Sequence, residues 1–310
     1  PKKADDKRQG QDIPENERFY FLEEKYPKYG NLVPRDIATR EIFDLCVNQR
    51  MGVFGENQVY LDVTHIDRRQ LDLKLRGVLE IYEKFVGDDP RDVPMRIFPA
   101  VHYSMGGIWV NNGLDPENVP YHMTNIPGLF AVGECDYQYH GANRLGANSL
   151  LSCLTSGAIA GPAVCKYADG QEVRSEKSNP AFAAALTSRT AEFETLRTMD
   201  GGENPFQIWR ELGKVMTENV TVVRDNAKLE QTIGIIDGLQ DRYAKVTVSD
   251  SSGWTNQTLP FTRQLGNMLT LARVITKGAL LRDESRGAHY KPEFPNRDDE
   301  RFQKTTVGTF

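Results

Sequence analysis

The stretch from residue 140 to residue 151 most constrains what this chain can fold into. A loop of small and amide residues there runs directly into a long apolar segment. The loop reads HGANRLGA and contains one arginine, Arg144. The apolar segment begins at Asn148 and Ser149, residue types that commonly cap helix N-termini. Free backbone N–H groups at a helix start attract anionic ligand atoms, and a fixed guanidinium beside them suits a bound carboxylate. The stretch therefore predicts a loop-to-helix site that holds a carboxylate against a cofactor.

Two segments upstream contain further candidate residues. Residues 128–135 read GLFAVGEC, which predicts a buried strand ending at Glu134, where the carboxylate would accept a hydrogen bond from a ribose hydroxyl. Residues 97–111 read IFPAVHYSMGGIWVN, which predicts further strand residues, with His102 at the end of a strand. The Gly106-Gly107 pair that follows indicates that the backbone passes close to something bulky, whereas a lone histidine is also typical of a core hydrogen bond.

The composition limits the class of protein. The chain has 310 residues, enough for about two domains, and is 39% hydrophobic and 26% charged. Its net charge of −5 gives no reason to expect nucleic-acid binding. The four cysteines lack the spacing of metal ligands, which predicts no metal site. No run of residues approaches the ~20 apolar positions of a membrane span.

Hydrophobic periodicity predicts helices and strands in the first half of the chain. Helices are predicted over residues 34–52 and 68–85, with a strand over 59–66 between them. A further helix is predicted from about Ser149, where the apolar segment begins.

The second half is predicted to be helical. Residues 169–188 are polar, which predicts a linker. From Pro205 to Gly278, apolar residues recur every three or four positions in three stretches, which predicts three antiparallel helices with a shared core. The polar, Pro-rich tail from Glu284 to Phe310 is predicted to lie over other domains.

The order of the predicted strand, Gly133-Glu134 and HGANRLGANSLL resembles the flavoprotein subunit of succinate dehydrogenase and fumarate reductase, and more distantly L-aspartate oxidase. The resemblance covers nearly all of this chain but only the later half of the family's chain. The sequence starts without a methionine and has no G-x-G-x-x-G, the phosphate-binding fingerprint expected near the family's N-terminus. We therefore expect these residues to be the C-terminal part of a longer flavoprotein that carries the FAD cradle upstream.

The resemblance implies an α/β plus all-α fold, the C-terminal half of an FAD-dependent flavoprotein. In this division, residues 1–97 are the remainder of a capping domain and residues 98–170 are the closing segment of the FAD-binding domain. Residues 171–280 form a three-helix bundle domain, and residues 281–310 form an incomplete, small C-terminal domain.

The resemblance also implies roles for individual residues at the substrate. Arg35, in a Pro-Arg-Asp context, would donate a proton to one carbon of fumarate or accept one from succinate. Arginine before a helix is otherwise typical of a surface residue or a salt bridge. His102 and Arg144 would bind the same substrate carboxylate by charge-assisted hydrogen bonds, although Arg144 could also tie two loops together.

At the cofactor, Glu134 would bind the FAD ribose, and the backbone of Ser149 and Leu150 would face the pyrimidine edge of the flavin. The Gly106-Gly107 pair would make room for the flavin ring. His140 is predicted to support the loop, and His65, His122 and His289 have no partner that the sequence identifies.

A second match is ESRGAHY at residues 284–290, which resembles a stretch near the C-terminal domain of both families. It predicts that the tail packs against the cofactor domain.

The resemblance implies that the whole protein interconverts succinate and fumarate by hydride transfer to or from FAD. Electrons would pass to an iron–sulfur partner subunit, and a membrane-anchor subunit would hold the protein peripherally at the cytoplasmic face of the membrane. Two alternatives stay open: an L-aspartate oxidase-like flavoenzyme, or an inactive folded fragment. We expect the 310 residues alone to bind no FAD and to be inactive.

Overall fold

In a computed structural model, the chain divides into two compact units, Pro1–Ala100 and Val101–Phe310, and each is described by itself. The division lies close to the predicted boundary after residue 97, whereas the finer division into four segments stays a prediction. The structure describes residues 2–3, 5–113, 119–146, 148–171 and 179–309.

Over its described residues, the first unit combines three α-helices with a two-stranded sheet. Its elements are α1 (Phe21–Lys25), α2 (Arg35–Phe43), β1 (Val59–Leu61), α3 (Arg68–Val86) and β2 (Met95–Ile97). The two strands pair antiparallel, with Tyr60 opposite Arg96. The strand predicted over 59–66 is wrong beyond Leu61, because the Asp62 carboxylate accepts hydrogen bonds from the backbone N–H and hydroxyl of Thr64 and turns the chain.

The two helices predicted in this unit are confirmed, and their ends have local causes. Helix α3 begins after Asp67, whose side chain accepts the backbone N–H of Gln70, and ends at Gly87 with a φ of 88°. The buried face of α3 packs Leu71 and Leu79 against the sheet. Helix α2 continues beyond Phe43 as a π-helical turn, Asp44–Asn48, and therefore stops short of the predicted end at residue 52.

The second unit begins with irregular chain. Between residues 101 and 136, the described backbone forms a 3₁₀ turn, Gly133–Cys135, and otherwise isolated bridges, such as Ile108 with Asp136 and Met123 with Phe130. The strands predicted within 97–111 and 128–135 are therefore wrong, apart from the end of β2. Apolar runs indicate burial, but a strand also needs a neighbouring extended segment, which the described residues supply here only at single positions.

Helix α4 (Asn148–Asp169) begins where the sequence predicts, but Asn148 is its first helical residue and not its N-cap. Residue 147, which precedes it, lies outside the described residues. The buried face of α4 is small and polar and includes Ser152 and Ser156. The Ser156 hydroxyl accepts the backbone N–H of Gly133 at 2.8 Å, so that α4 supports the turn that presents Glu134.

The three predicted bundle helices are confirmed as α6 (Pro205–Met216), α7 (Asn226–Tyr243) and α8 (Thr258–Leu280). Their shared core consists of Ile208, Leu212, Ile236, Leu239, Val246, Leu265, Leu269 and Ala272.

A further helix, α5 (Pro180–Thr198), occupies the end of the segment that we predict as a linker, so that prediction is wrong from Pro180 onward. The earlier part of that segment, residues 172–178, lies outside the described residues. Helix α5 buries only Leu196, and it contacts α8 through an ion pair between Glu192 and Arg263 at 2.9 Å. Its sequence therefore lacks the apolar stripe by which a helix is normally recognised.

The C-terminal tail, which includes α9 (Asp299–Phe302), packs on the end of the bundle. The buried Lys291 ammonium donates to the carbonyl of Leu280 at 3.0 Å and to Asp283 at 3.1 Å. Burial opposes ionisation of Glu284, but hydrogen bonds from Arg286, the Asp298 N–H and Arg282 outweigh it and lower the Glu284 pKa to about 2. Among the helices that the structure describes, none is long and apolar enough to cross a membrane.

Candidate functional site

Arg144 is held from three directions within the second unit. Its backbone N–H donates to the thioether sulfur of Met105 at 3.0 Å. Its Nη1 lies 3.4 Å from the carbonyl of Leu145 and 3.4 Å from the hydroxyl of Ser149, and its guanidinium carbon lies 5.3 Å from the centre of the Tyr103 ring. The side chain is half-buried, and no carboxylate among the described residues pairs with it. The guanidinium therefore keeps donors that can bind an anionic ligand.

The support behind this arginine is a small polar cluster. The Tyr103 hydroxyl and the His140 Nε2 lie 3.3 Å and 3.2 Å from the same Ser152 hydroxyl on α4. The Tyr103 and His140 rings meet edge to face with their centres 5.1 Å apart. His140 thus contacts the residues that support the loop, as the sequence predicts for it.

His102 directly precedes Tyr103, whose ring contacts Arg144. The His102 side chain is exposed, and it makes no hydrogen bond within the described ranges. The core-histidine interpretation is therefore wrong, and His102 is available to a ligand on the same unit as Arg144.

The Gly106-Gly107 pair is explained by the chain itself. Gly106 has a φ of 108°, which favours glycine. A Cβ on Gly107 would lie 2.3 Å from the carbonyl oxygen of Cys135, and that oxygen accepts the Ile108 N–H at 2.7 Å. The close neighbour of this pair is thus the backbone of Cys135, so the glycines are not evidence for a flavin ring.

Glu134 is exposed and lies in a 3₁₀ turn, Gly133–Cys135. One carboxylate oxygen, Oε1, accepts the backbone N–H of Ser104 at 2.9 Å, which fixes the turn to the segment that contains His102. The other oxygen has no hydrogen bond in the part of the chain that the structure describes. It can therefore accept a hydrogen bond from a ligand hydroxyl.

Ser149 and Leu150 lie in the first turn of α4, where backbone N–H groups have no partner within the helix. Ser149 is half-buried beside Arg144, and the Leu150 side chain is 76% exposed. This helix start can therefore donate hydrogen bonds to electron-rich ligand atoms.

Arg35 belongs to the first unit, whereas the other five predicted site residues belong to the second. It is the first residue of α2 and is exposed, and no described carboxylate pairs with it. The adjacent Asp36 lies 3.5 Å from Arg40 instead. Among the described residues, Arg35 thus fits the surface-residue interpretation and not the salt bridge.

The second unit also contains a buried histidine–aspartate pair that the sequence does not predict. His122 is fully buried with a φ of 63°, its Nε2 lies 3.0 Å from the Tyr139 hydroxyl, and its Nδ1 lies 3.6 Å from the Asp136 carboxylate. Burial raises the pKa of Asp136, whose Oδ2 has no hydrogen bond among the described residues. No motif spacing signals this pair, because tertiary packing brings its members together.

The structure supplies partners for His122 and His289, which the sequence does not identify. His289 accepts a hydrogen bond from Arg224 at Nδ1 and donates one from Nε2 to the carbonyl of Arg282 at 2.8 Å. Burial and the nearby Arg224 charge lower the His289 pKa to about 4, so this histidine is neutral at pH 7.

Comparison with known proteins gives two family matches. Residues 7–150 match the family described as an FAD binding domain, and residues 209–309 match the family described as the fumarate reductase flavoprotein C-term.

Two relatives show how far the similarity extends. The succinate dehydrogenase flavoprotein subunit of Bacillus subtilis (strain 168) is 57% identical over 290 residues, which are 93% of this chain and 48% of the relative. The fumarate reductase flavoprotein subunit of Escherichia coli (strain K12) is 34% identical over 290 residues, which are 92% of this chain and 46% of the relative. The chain thus spans about half the length of the curated relatives it matches.

Solved structures give the same picture. A quinol–fumarate reductase with menaquinol molecules superposes with a TM-score of 0.81 at 32% identity, over 94% of this chain and 51% of that chain. Mycobacterium smegmatis Sdh1 in complex with UQ1 superposes with a TM-score of 0.72 at 29% identity, over 92% of this chain and 45% of that chain. The fold of this chain is therefore that of the C-terminal part of such a flavoprotein subunit.

The Asp136 carboxyl gives a prediction about pH. A raised pKa means that the stability from this group is complete below its unfolded pKa of ~3.9 and is lost as the pH rises through the folded pKa. Asp136→Asn has no such loss, so its melting temperature relative to wild type should increase from pH 4 to pH 7. Thermal unfolding at several pH values measures this, with Asp241→Asn, at an exposed position of α7, as the control. A melting-temperature difference that does not change with pH would contradict the assignment.

Proposed function

This chain belongs to the succinate dehydrogenase and fumarate reductase flavoprotein family, and we propose from that membership that the full-length protein is an FAD-dependent enzyme that interconverts succinate and fumarate. The observation that carries the proposal is Arg144, a half-buried guanidinium held in place without an acidic partner among the described residues. An anionic ligand would supply the missing negative charge. A dicarboxylate is the substrate class that fits both this site and the relatives.

One substrate carboxylate would bind to Arg144 and His102 together. The two residues flank Tyr103, one as its chain neighbour and one through a contact with its ring. Arginine offers paired N–H donors that match the geometry of a carboxylate. Hydrogen bonds to a charged group typically contribute ~1.5–3 kcal/mol, so this pair can account for most of the binding free energy at one end of the substrate. Both side chains also withdraw electron density from that carboxylate and so polarise the adjacent carbon.

The residues of the second unit fit FAD. Glu134 keeps a carboxylate oxygen for a ribose hydroxyl, and the exposed start of α4 offers the N–H groups of Ser149 and Leu150. The positive end of a helix dipole at these two residues stabilises negative charge on a ring beside it. When bound, FAD supplies the two-electron chemistry by accepting or returning a hydride.

We assign the proton transfer to Arg35. In fumarate reduction the guanidinium donates a proton to one alkene carbon, and in succinate oxidation it accepts that proton back. Arginine has a free pKa above ~12, so it transfers protons only in a water-excluded site next to the substrate carbon. The absence of an ion pair to Arg35 among the described residues supports the assignment, because a tight carboxylate partner would hold the guanidinium elsewhere.

Electrons would leave through an iron–sulfur partner subunit, and a membrane-anchor subunit would attach the assembly to the cytoplasmic face of the membrane. The related structures support this part of the proposal, since their names include a quinol–fumarate reductase and a complex with UQ1.

The role of Arg35 is tested by Arg35→Lys in the full-length enzyme. Lysine keeps the charge but loses the planar reach of guanidinium, so dicarboxylate binding should stay near normal while kcat falls by at least about a hundredfold. Steady-state succinate oxidation with an artificial acceptor gives kcat, and malonate inhibition gives binding. Arg69→Lys, an exposed arginine in the first turn of α3, is the matched control. A kcat within about threefold of wild type, under ~1 kcal/mol of barrier, would remove Arg35 from the reaction.

The proposal that Arg144 and His102 bind the same carboxylate is tested by Arg144→Ala, His102→Ala and the double variant. Each single change should weaken malonate binding by roughly 1.5–3 kcal/mol, with the larger loss at Arg144 because it carries a full charge. The double variant should lose less binding free energy than the sum of the two single losses, since removing either side chain weakens the binding of malonate to the other. Titrating malonate against the flavin absorbance measures each dissociation constant, and Arg210→Ala, an exposed arginine on α6, is the control. Strictly additive losses would show that the two side chains do not hold one carboxylate.

A further inference from the structure

The backbone of the C-terminal tail contacts the loop of residues 140–146, called here the Arg144 loop. The Ala288 N–H donates to the carbonyl oxygen of Ala142 at 2.8 Å, two residues before Arg144. A Cβ on Gly287 would lie 2.5 Å from that same oxygen and 2.9 Å from the Cβ of Asn143. Gly287 also has a φ of 59°, which favours glycine, and the close contact with Ala142 leaves no space for a larger residue.

The part of the tail that makes this contact is a tight turn, residues 286–289, which is fixed by hydrogen bonds. The Arg286 N–H donates to the His289 carbonyl at 2.7 Å, and the His289 N–H donates back to the Arg286 carbonyl at 3.1 Å. Below the turn, the fully buried Glu284 accepts hydrogen bonds from Arg286 at 2.8 Å and 2.9 Å. Buried charge-assisted bonds of this kind fix geometry because a displaced partner would leave a buried charge unpaired.

The bundle anchors the same turn. The Arg224 N–H, just before α7, donates to the carbonyl of Tyr290 at 3.0 Å. The Arg224 guanidinium donates to His289, and the buried Lys291 binds the end of α8. The turn is therefore connected by hydrogen bonds to two bundle helices, which makes it a rigid support.

The Arg144 loop has a second support besides the tail. The Arg144 N–H donates to the Met105 sulfur, and the Asn143 N–H closes a turn onto the His140 carbonyl at 3.2 Å. The segment from Ala142 to Arg144 is therefore held both by Met105 and by the tail turn, so a displacement at Ala142 is expected to shift Arg144.

We propose that the Gly287–Ala288 turn is a positioning element, which sets Ala142 and through it the Arg144 guanidinium for the substrate carboxylate. The inference rests on the proposed function, in which Arg144 binds a dicarboxylate. Gly287 touches no substrate and acts through the Ala142 carbonyl. Its small size thereby serves substrate binding as well as folding.

The test is Gly287→Ala in the full-length, FAD-loaded enzyme with its partners. The added methyl group meets backbone, which cannot rotate away as a side chain can, so the loop must shift. Displacements near 1 Å at a positioned group change rates by about a hundredfold. We expect malonate to bind at least about tenfold more weakly and the KM for succinate to rise, while FAD stays bound and kcat changes less than KM.

The matched control is Gly202→Ala. Gly202 also has a positive φ, 84°, but nothing lies within 4 Å of a Cβ built there. This variant carries the same conformational penalty without the contact, so its malonate binding should stay within about twofold of wild type. If Gly287→Ala binds malonate as tightly as Gly202→Ala does, the positioning role is overturned.

If Gly287→Ala does not fold, a measurement on the wild-type enzyme tests the positioning role of the Gly287–Ala288 turn. Coupling between two sites is reciprocal, so malonate bound at Arg144 must stabilise the turn. Hydrogen exchange in residues 284–290 should slow at saturating malonate, while exchange in α7 stays unchanged. Unchanged exchange in residues 284–290 overturns the proposal. A wild-type enzyme that neither binds malonate nor oxidises succinate would overturn the proposed function itself, and the positioning role with it.

Discussion

The Arg144 guanidinium, half-buried and without an acidic partner among the described residues, is the constraint on which the rest of the site depends. The guanidinium contacts a carbonyl, a hydroxyl and an aromatic ring, each of them weakly, and the Arg144 backbone N–H donates to a thioether. Partly burying a cation without a carboxylate costs free energy, and an anionic ligand recovers that cost. The neighbouring elements therefore hold the Arg144 charge where a substrate carboxylate would neutralise it. Their own packing must stabilise the Arg144 loop.

That packing explains why elements far apart in the chain converge on one loop. Helix α4 supplies Ser152, which holds Tyr103 and His140 behind the arginine. The turn around Glu134 is fixed to Ser104, and the tail reaches Ala142. The proposed substrate residues and the proposed cofactor residues thus share one support, so a change in either set is expected to affect the other.

Local sequence signals predicted the helices well. Helices α3, α6, α7 and α8 have apolar faces at helical spacing, and Asp67 and Gly87 mark the ends of α3. Helix α5 was missed because it buries only Leu196 and so has no apolar stripe. The strands were overpredicted because a strand depends on a hydrogen-bonding neighbour, and sequence periodicity reports burial but not that neighbour.

The site was predictable only where a motif contains the residue itself. Arg144, Glu134 and His102 lie in recognisable segments, whereas their supports do not. Met105 lies 39 residues from Arg144, and Ala288 reaches the loop from the far end of the chain. The pair of His122 and Asp136 has the same origin, since tertiary packing and not spacing brings the two side chains together.

The most direct measurement mixes the oxidised, full-length flavoenzyme anaerobically with succinate or with L-aspartate and follows the flavin absorbance. A dicarboxylate site built on Arg144 in a succinate dehydrogenase or fumarate reductase flavoprotein predicts that succinate bleaches the flavin and that fumarate restores it. L-aspartate should leave the spectrum unchanged. Bleaching by L-aspartate but not by succinate would contradict the account and favour an L-aspartate oxidase.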